Sequence, residues 1–271
     1  MVIGSGGTGV TIDGFTITSG NANDNSSGYS VNGNYISQSE GGGIVLSGGT
    51  NAIRNCIIKN CYAENGGGMY IFNNSTDTLE NNVIANNTSL YAGAGAHVVS
   101  STTVMTGNLF DKNEVTSTAS GVGYGGGMSL YYGNNTLHNN VFSNNTSGQH
   151  GGGLAMSSGS NTLANNTFYN NESKNGGGGG TSLDGWGYTM LNNLFYLNKF
   201  SGSATAAKAD FWNKAGNKYD FKNCLLQLSS GSYTSANANK LGSNAANNKF
   251  ALSICKEINR TFAFKKANEE T

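Results

Sequence analysis

Arg54, Glu80 and His138 carry side chains able to move protons, and they follow one another at intervals of 26 and 58 residues. In a chain whose repeat is close to 26 residues these positions fall into one column, four residues before a recurring apolar marker. A guanidinium or imidazole base beside a carboxylate is the equipment of general acid–base catalysis, so Arg54 or His138 is the candidate base and Glu80 its partner. The same residues on a strand surface would form an ordinary ion pair of little energetic weight. No acidic cluster accompanies them. Asp13, Asp77, Asp111, Glu172 and Asp184 belong to different columns or distant rungs, and the chain contains no DD or DxD pair. A calcium cage, a paired-carboxylate hydrolase centre and any other metal site therefore lack ligands, and no cofactor is expected.

A second constellation is aromatic. Tyr70, Phe72, His97, Tyr131 and Asp184 occupy two neighbouring outward columns of the strand that follows each glycine triplet. Rings on a flat sheet with polar neighbours can pack on the apolar faces of sugars while their hydroxyls find partners. Outward aromatics also arise because strands favour them. These five residues are the candidate ligand-binding patch for a polysaccharide or a cell-surface glycan.

Composition removes several other classes. Fifteen Lys and Arg balance fifteen Asp and Glu, and Arg54 and Arg260 are the only arginines, so the basic footprint of a nucleic-acid binder is missing. The apolar runs stay far below the roughly 18 residues of a transmembrane helix. Met1 leads directly into VIGSGGTGVTIDGF with no secretory leader, which fits either a cytosolic protein or a piece of a longer one. Cys56, Cys61, Cys224 and Cys255 are too few and too irregular for a disulfide framework. Free thiols and a monomer are expected.

What positions these residues is a repeat. Glycine triplets precede IVL at 44, MYI at 69, MSL at 128 and LAM at 154, with looser copies before 96 and 181. An asparagine unit follows each: NNVIANN, NNVFSNN, NNTFYNN and NNLFYLN. The second apolar residue of these units, with its looser copies, gives Ile17, Ile58, Ile84, Phe110, Phe142, Phe168, Phe195 and Leu226, spaced by 41, 26, 26, 32, 26, 27 and 31. The excess over 26 falls in polar stretches at 21–40, 114–124 and 199–209, as expected of loops expelled from a fixed coil. Residues after each triplet alternate inward and outward with period 2, the mark of a strand on a core. The 42 asparagines form columns at the turns, where stacked amides can bond along the rod and the side chain tolerates left-handed backbone. The fold class expected is all-β: a right-handed single-stranded parallel β-helix of about eight rungs over 1–228, with an irregular tail or cap at 229–271.

In VTIDGFTITSGNAN, EGGGIVL, NGGGMYI, YGGGMSL and HGGGLAM, each followed by its asparagine unit, the chain resembles bacterial surface and secreted proteins built from right-handed β-helix repeats. Its triplet and asparagine spacing is similar to the repeats of chlamydial polymorphic outer-membrane proteins, and it resembles the pectate-lyase-like β-helix superfamily. The resemblance implies an extracellular or cell-surface module, non-catalytic and adhesin-like, that binds glycan. It also implies an alternative, a polysaccharide lyase or glycoside hydrolase acting on an acidic polysaccharide across the same groove.

Overall fold

The computed structural model describes residues 2–4, 9–23, 28–31, 34–200, 209–213, 220–222 and 224–226. The expected tail or cap at 229–271, and Cys255 with it, lies outside the described residues. Within them the chain runs through four short strands per coil, as in Leu154–Ser157, Ser160–Ala164, Thr167–Tyr169 and Glu172–Ser173. Each strand pairs in parallel with its counterpart one coil away, giving three sheets of eight strands and one of seven. Six coils run from Ile44 to Phe200, and strands of a partly described coil lie at each end, against the expectation of about eight rungs. There is no helix among the described residues.

Register carries the 26-residue period directly. Leu79 lies opposite Ile53 and Met105, and Thr103 opposite Asn135 despite the longer interval between them. The extra residues leave the coil between its fourth strand and the next triplet. At 21–40 that insertion folds into an antiparallel hairpin, Tyr29–Val31 with Asn34–Ile36. At 114–124 it continues from the strand Glu114–Val115 and bonds to Ser89, Leu90 and Tyr91 of the preceding coil. Lys199–Phe200 at the third insertion is itself a strand of the fourth sheet.

The inward columns read from the sequence form the core. Ile44, Met69, Ala96, Met128 and Leu154 are fully buried, as are Ile53, Leu79, Met105, Leu137 and Leu163. Below the asparagine units Phe110, Phe142, Phe168 and Phe195 stack with centroids 4.8, 4.9 and 4.6 Å apart and planes within 6° of parallel. Successive rungs separated by about 4.8 Å place identical rings at the distance where offset stacking is favourable.

Doubled asparagines divide the work at each corner. The first member turns the chain: Asn81, Asn139, Asn165 and Asn192 have φ of 55°, 57°, 58° and 53°. The second member points inward and builds a ladder. Asn140 Nδ2 donates to Met105 O at 2.9 Å and to Asn166 Oδ1 at 3.0 Å, while its Oδ1 accepts from the backbone and side-chain amides of Asn108. A buried polar group is tolerated when its bonds are made, and here each amide makes all of them. Asn87, Asn113, Asn145, Asn171 and Asn198 form the same ladder at the next corner. Cysteines stand at the ladder ends. Asn82 Oδ1 accepts from the Cys56 amide at 2.9 Å, and Asn193 Nδ2 donates to Cys224 Sγ at 3.8 Å. Cys56, Cys61 and Cys224 are all free and buried, as expected of isolated thiols in these columns.

The triplets serve close approach. Gly125 takes φ of 68°, and a Cβ on Gly127 would lie 2.5 Å from Gly153 O and 3.1 Å from the Phe142 ring. Only glycine lets the chain pass this near the ring stack.

Candidate functional site

Outward positions of the first sheet meet the 114–124 insertion in a cleft of about 480 Å³. Ser129, Ala155 and Ser182 lie on consecutive strands in direct register and form its floor, with Tyr131, Ser157 and Asp184 in the next outward column. The insertion supplies one wall through Gly121, Val122 and Tyr124. It is held there by backbone bonds from Thr116 and Ser117 to Ser89 and Leu90, and from Gly123 to Tyr91 at 2.7 Å.

A row of rings continues that wall. Tyr124 and His150 each precede a glycine triplet and are neighbours across a parallel bridge, so their rings stack with centroids 5.5 Å apart. The next position in this column is Gly177, which has no side chain. Trp212, which follows Ser182 in register two coils on from His150, stacks on its imidazole at 4.1 Å and 13°. Because the rings face one another along the rod, they turn their edges toward the cleft. Opposite, Tyr131 is 44% exposed and meets Tyr132 edge to face at 4.5 Å.

His97 lies at one end. Burial pushes its imidazole down to about 4, opposed by a hydrogen bond to the Ser129 backbone, so the ring is neutral near pH 7. Its Nδ1 is buried without a hydrogen-bond partner. Asp184 is the only acidic side chain lining the cleft, and no lysine or arginine lines it among the described residues.

Of the five residues expected to form a ligand-binding patch, His97, Tyr131 and Asp184 line this cleft. Tyr70 and Phe72 do not. They pack against each other at 5.0 Å, and Tyr70 also against His97 at 5.6 Å. The expected open aromatic face is thus corrected to a half-buried cluster of Tyr70, Phe72 and His97 beside a cleft. Tyr124, His150 and Trp212 were not anticipated, since His150 reads as part of a turn and Trp212 follows an insertion.

The proton-transfer column is in register but elsewhere. Arg54 pairs with Glu80, and Thr106 links Glu80 to His138, all on the second sheet. The Arg54 and Glu80 side chains are 3.5 Å apart and nearly half exposed, the geometry of a surface ion pair. They do not share a groove with the aromatic residues. Asp77 is buried and accepts from Asn51 and Ser75, both at 2.7 Å, which makes it part of the coil's internal bonding. No group of three or more potential metal-ligating side chains comes together among the described residues.

One acidic group departs from the expectations. Glu40, in the same column as Tyr124 and His150, is pushed up to about 7 by burial, while Asn65 donates to its Oε1 at 3.2 Å. Asn65 itself lines the cleft.

No curated protein and no solved structure matches the chain. Residues 2–115 match the family model described as a right handed beta helix region. Since the sheets continue past those residues in register, the fourth to Lys199–Phe200 and the third to Leu225–Leu226, the described residues form a right-handed parallel β-helix.

Proposed function

We propose that this β-helix is a non-catalytic, glycan-binding module of a bacterial cell-surface or secreted protein. The observation that carries the reading is the cleft on the first sheet, where serine hydroxyls, Asp184 and Tyr131 face a wall of ring edges from Tyr124, His150 and Trp212. Concave sites with an apolar lining and a few convergent polar groups suit small ligands, and hydroxyls beside rings suit sugars. Binding to an immobilised glycan array tests it: the wild type should bind a subset, and Tyr131→Ala with Ser157→Ala should lose that signal while keeping its thermal transition. Equal binding by the variant would place the ligand elsewhere.

The enzymatic reading, a lyase or hydrolase on an acidic polysaccharide, has one observation in its favour. Glu40 near pKa 7 is in the range of a general acid or base. Release of reducing ends or unsaturated uronate from a polysaccharide panel, abolished by Glu40→Gln, would establish it.

A further inference from the structure

We propose that Tyr132 and Trp186 form an aromatic clamp on the corner between the first and second sheets, holding one pyranose unit of a glycan that leaves the cleft there. The inference rests on the glycan reading above and adds a second subsite, beyond the cleft.

At this corner each coil turns through a short stretch whose first residue takes left-handed backbone. Four coils fill that position with Gly48, Asn73, Ser100 and Ser158, at φ of 67°, 67°, 46° and 62°. Small and turn-forming residues suit such a site. The coil of Met128–Tyr131 instead places Tyr132 there, at φ of 58°. A bulky side chain in this region is strained, and strain of this kind persists where function needs it. Tyr132 gains no burial in exchange, since it is 48% exposed.

The next position of the corner departs from pattern two coils on. Gly133 and Gly159 occupy it in successive coils, where a Cβ would overlap the carbonyls of Ser101 and Gly133. In the coil of Thr181–Asp184 the equivalent residue is Trp186, 74% exposed. Gly185 and Gly187 carry the left-handed backbone on either side of it, at φ of 124° and 80°. A tryptophan raised between two glycines forgoes the burial that ordinarily explains its place in a fold. The coil between the two rings presents only Ser157, Ser158 and Gly159 at this corner.

The corner and the cleft share a wall. Tyr131 and Ser157 line the cleft, and the Tyr131 ring meets Tyr132 edge to face at 4.5 Å. A hydrogen bond to the Tyr132 side chain is the main cause that pushes the Tyr131 phenol above its ordinary range, so the pair is tied at both ring and hydroxyl. A ligand emerging from the cleft past Ser157 therefore runs between Tyr132 and Trp186.

Two coil steps, about 10 Å along the rod, separate the backbone of Tyr132 from that of Trp186. Carbon contacts of about 3.5–4.0 Å on each side of an inserted ring take up about 7–8 Å, and the remainder matches the pucker of a saturated ring better than a flat one. A pyranose offers C–H faces to both aromatic rings and carries hydroxyls at its rim, for which Ser157 and Ser158 supply partners.

Titration calorimetry with β-1,4-linked gluco-, manno- and xylo-oligosaccharides of two to six units tests the proposal. In at least one series the wild type should bind the hexasaccharide more tightly than the disaccharide. Trp186→Ala and Tyr132→Ser should each weaken the hexasaccharide about tenfold, the scale of an aromatic anchor, and the disaccharide less than about twofold. Both variants should keep the thermal transition of the wild type, and either one that keeps it decides the point. Trp212→Phe leaves Trp186 as the only tryptophan, and the hexasaccharide should shift its emission to shorter wavelength. Unchanged hexasaccharide binding in both variants, or an equal loss at both lengths, would overturn the clamp and leave the cleft reading standing. Silence from every sugar would overturn both, and binding of a polyproline peptide that Trp186→Ala abolishes would then assign the rings to a peptide.

Discussion

The Trp212 indole lies 4.1 Å from the His150 imidazole and 13° from parallel, although the two residues are two coils apart. Glycine in the intervening coil makes room for the imidazole, since a Cβ on Gly176 would overlap the His150 ring. Trp212 thereby closes one end of the cleft and continues the wall begun by Tyr124.

Replacing Trp212 with alanine is expected to weaken glycan binding at least tenfold, the usual cost of losing a central aromatic anchor. His150→Ala should weaken it less, because Tyr124 and Trp212 remain. Calorimetry on both variants decides the order, and the reverse order would mean that the imidazole rather than the indole touches ligand.

The asparagine ladders predict a sharp difference between adjacent residues. Asn140→Ala removes the buried acceptor of the Asn108 backbone N–H and of one Asn108 side-chain N–H, and the donor to Met105 O and Asn166 Oδ1, at a cost of about 2–4 kcal/mol. Asn139 is exposed with φ of 57°, so Asn139→Gly should change stability by less than about 0.5 kcal/mol and Asn139→Val should cost about 1–2 kcal/mol. Urea unfolding of the three variants measures this, and similar losses at 139 and 140 would contradict the division of labour.

Phe142 is packed between Phe110 and Phe168. Phe142→Ala should lose about 3–5 kcal/mol, and Phe142→Leu much less, because leucine refills most of the volume. Solenoid stability is a sum of neighbour interfaces, so hydrogen exchange should rise most in the coils on either side of the alanine. A uniform rise along the rod would contradict that picture.

Two buried groups give opposite pH dependences over one window. Glu40 has its pKa raised from 4.5 to about 7, so its contribution is complete below pH 4.5 and is lost as pH rises to 7. His97 is lowered from 6.5 to about 4, so its contribution is complete above pH 6.5 and is lost as pH falls toward 4. Glu40→Gln should therefore make stability climb more steeply with pH between 4.5 and 6.5, and His97→Gln should make it climb less or decline. Urea midpoints at four pH values test the signs, and parallel profiles for both variants and the wild type would contradict them.

The coil was legible because its signals repeat. Each triplet is fixed by close passage over a ring or an amide, as at Gly127, and each doubled asparagine by one residue that turns and one that bonds, as at Asn139 and Asn140. The cleft was only partly legible because half of it is built by what interrupts the repeat. His97, Tyr131 and Asp184 follow from strand alternation. Tyr124 follows from an insertion whose course over the sheet has no period, and Trp212 reaches its partner across a coil where Gly176 leaves room for the imidazole. One signal was available: YGGG and HGGG place rings at a position where other coils carry Glu, Asn or Ala, and adjacent coils bring such rings together.

Trp186 and Trp212 are the two tryptophans of the chain, so Trp186→Phe leaves Trp212 as the sole reporter inside the cleft. Titrating that variant with a neutral oligosaccharide should shift Trp212 emission to shorter wavelength and saturate with the affinity found by calorimetry. Heat of binding with unchanged Trp212 emission would show that the ligand binds outside the cleft and contradict the account.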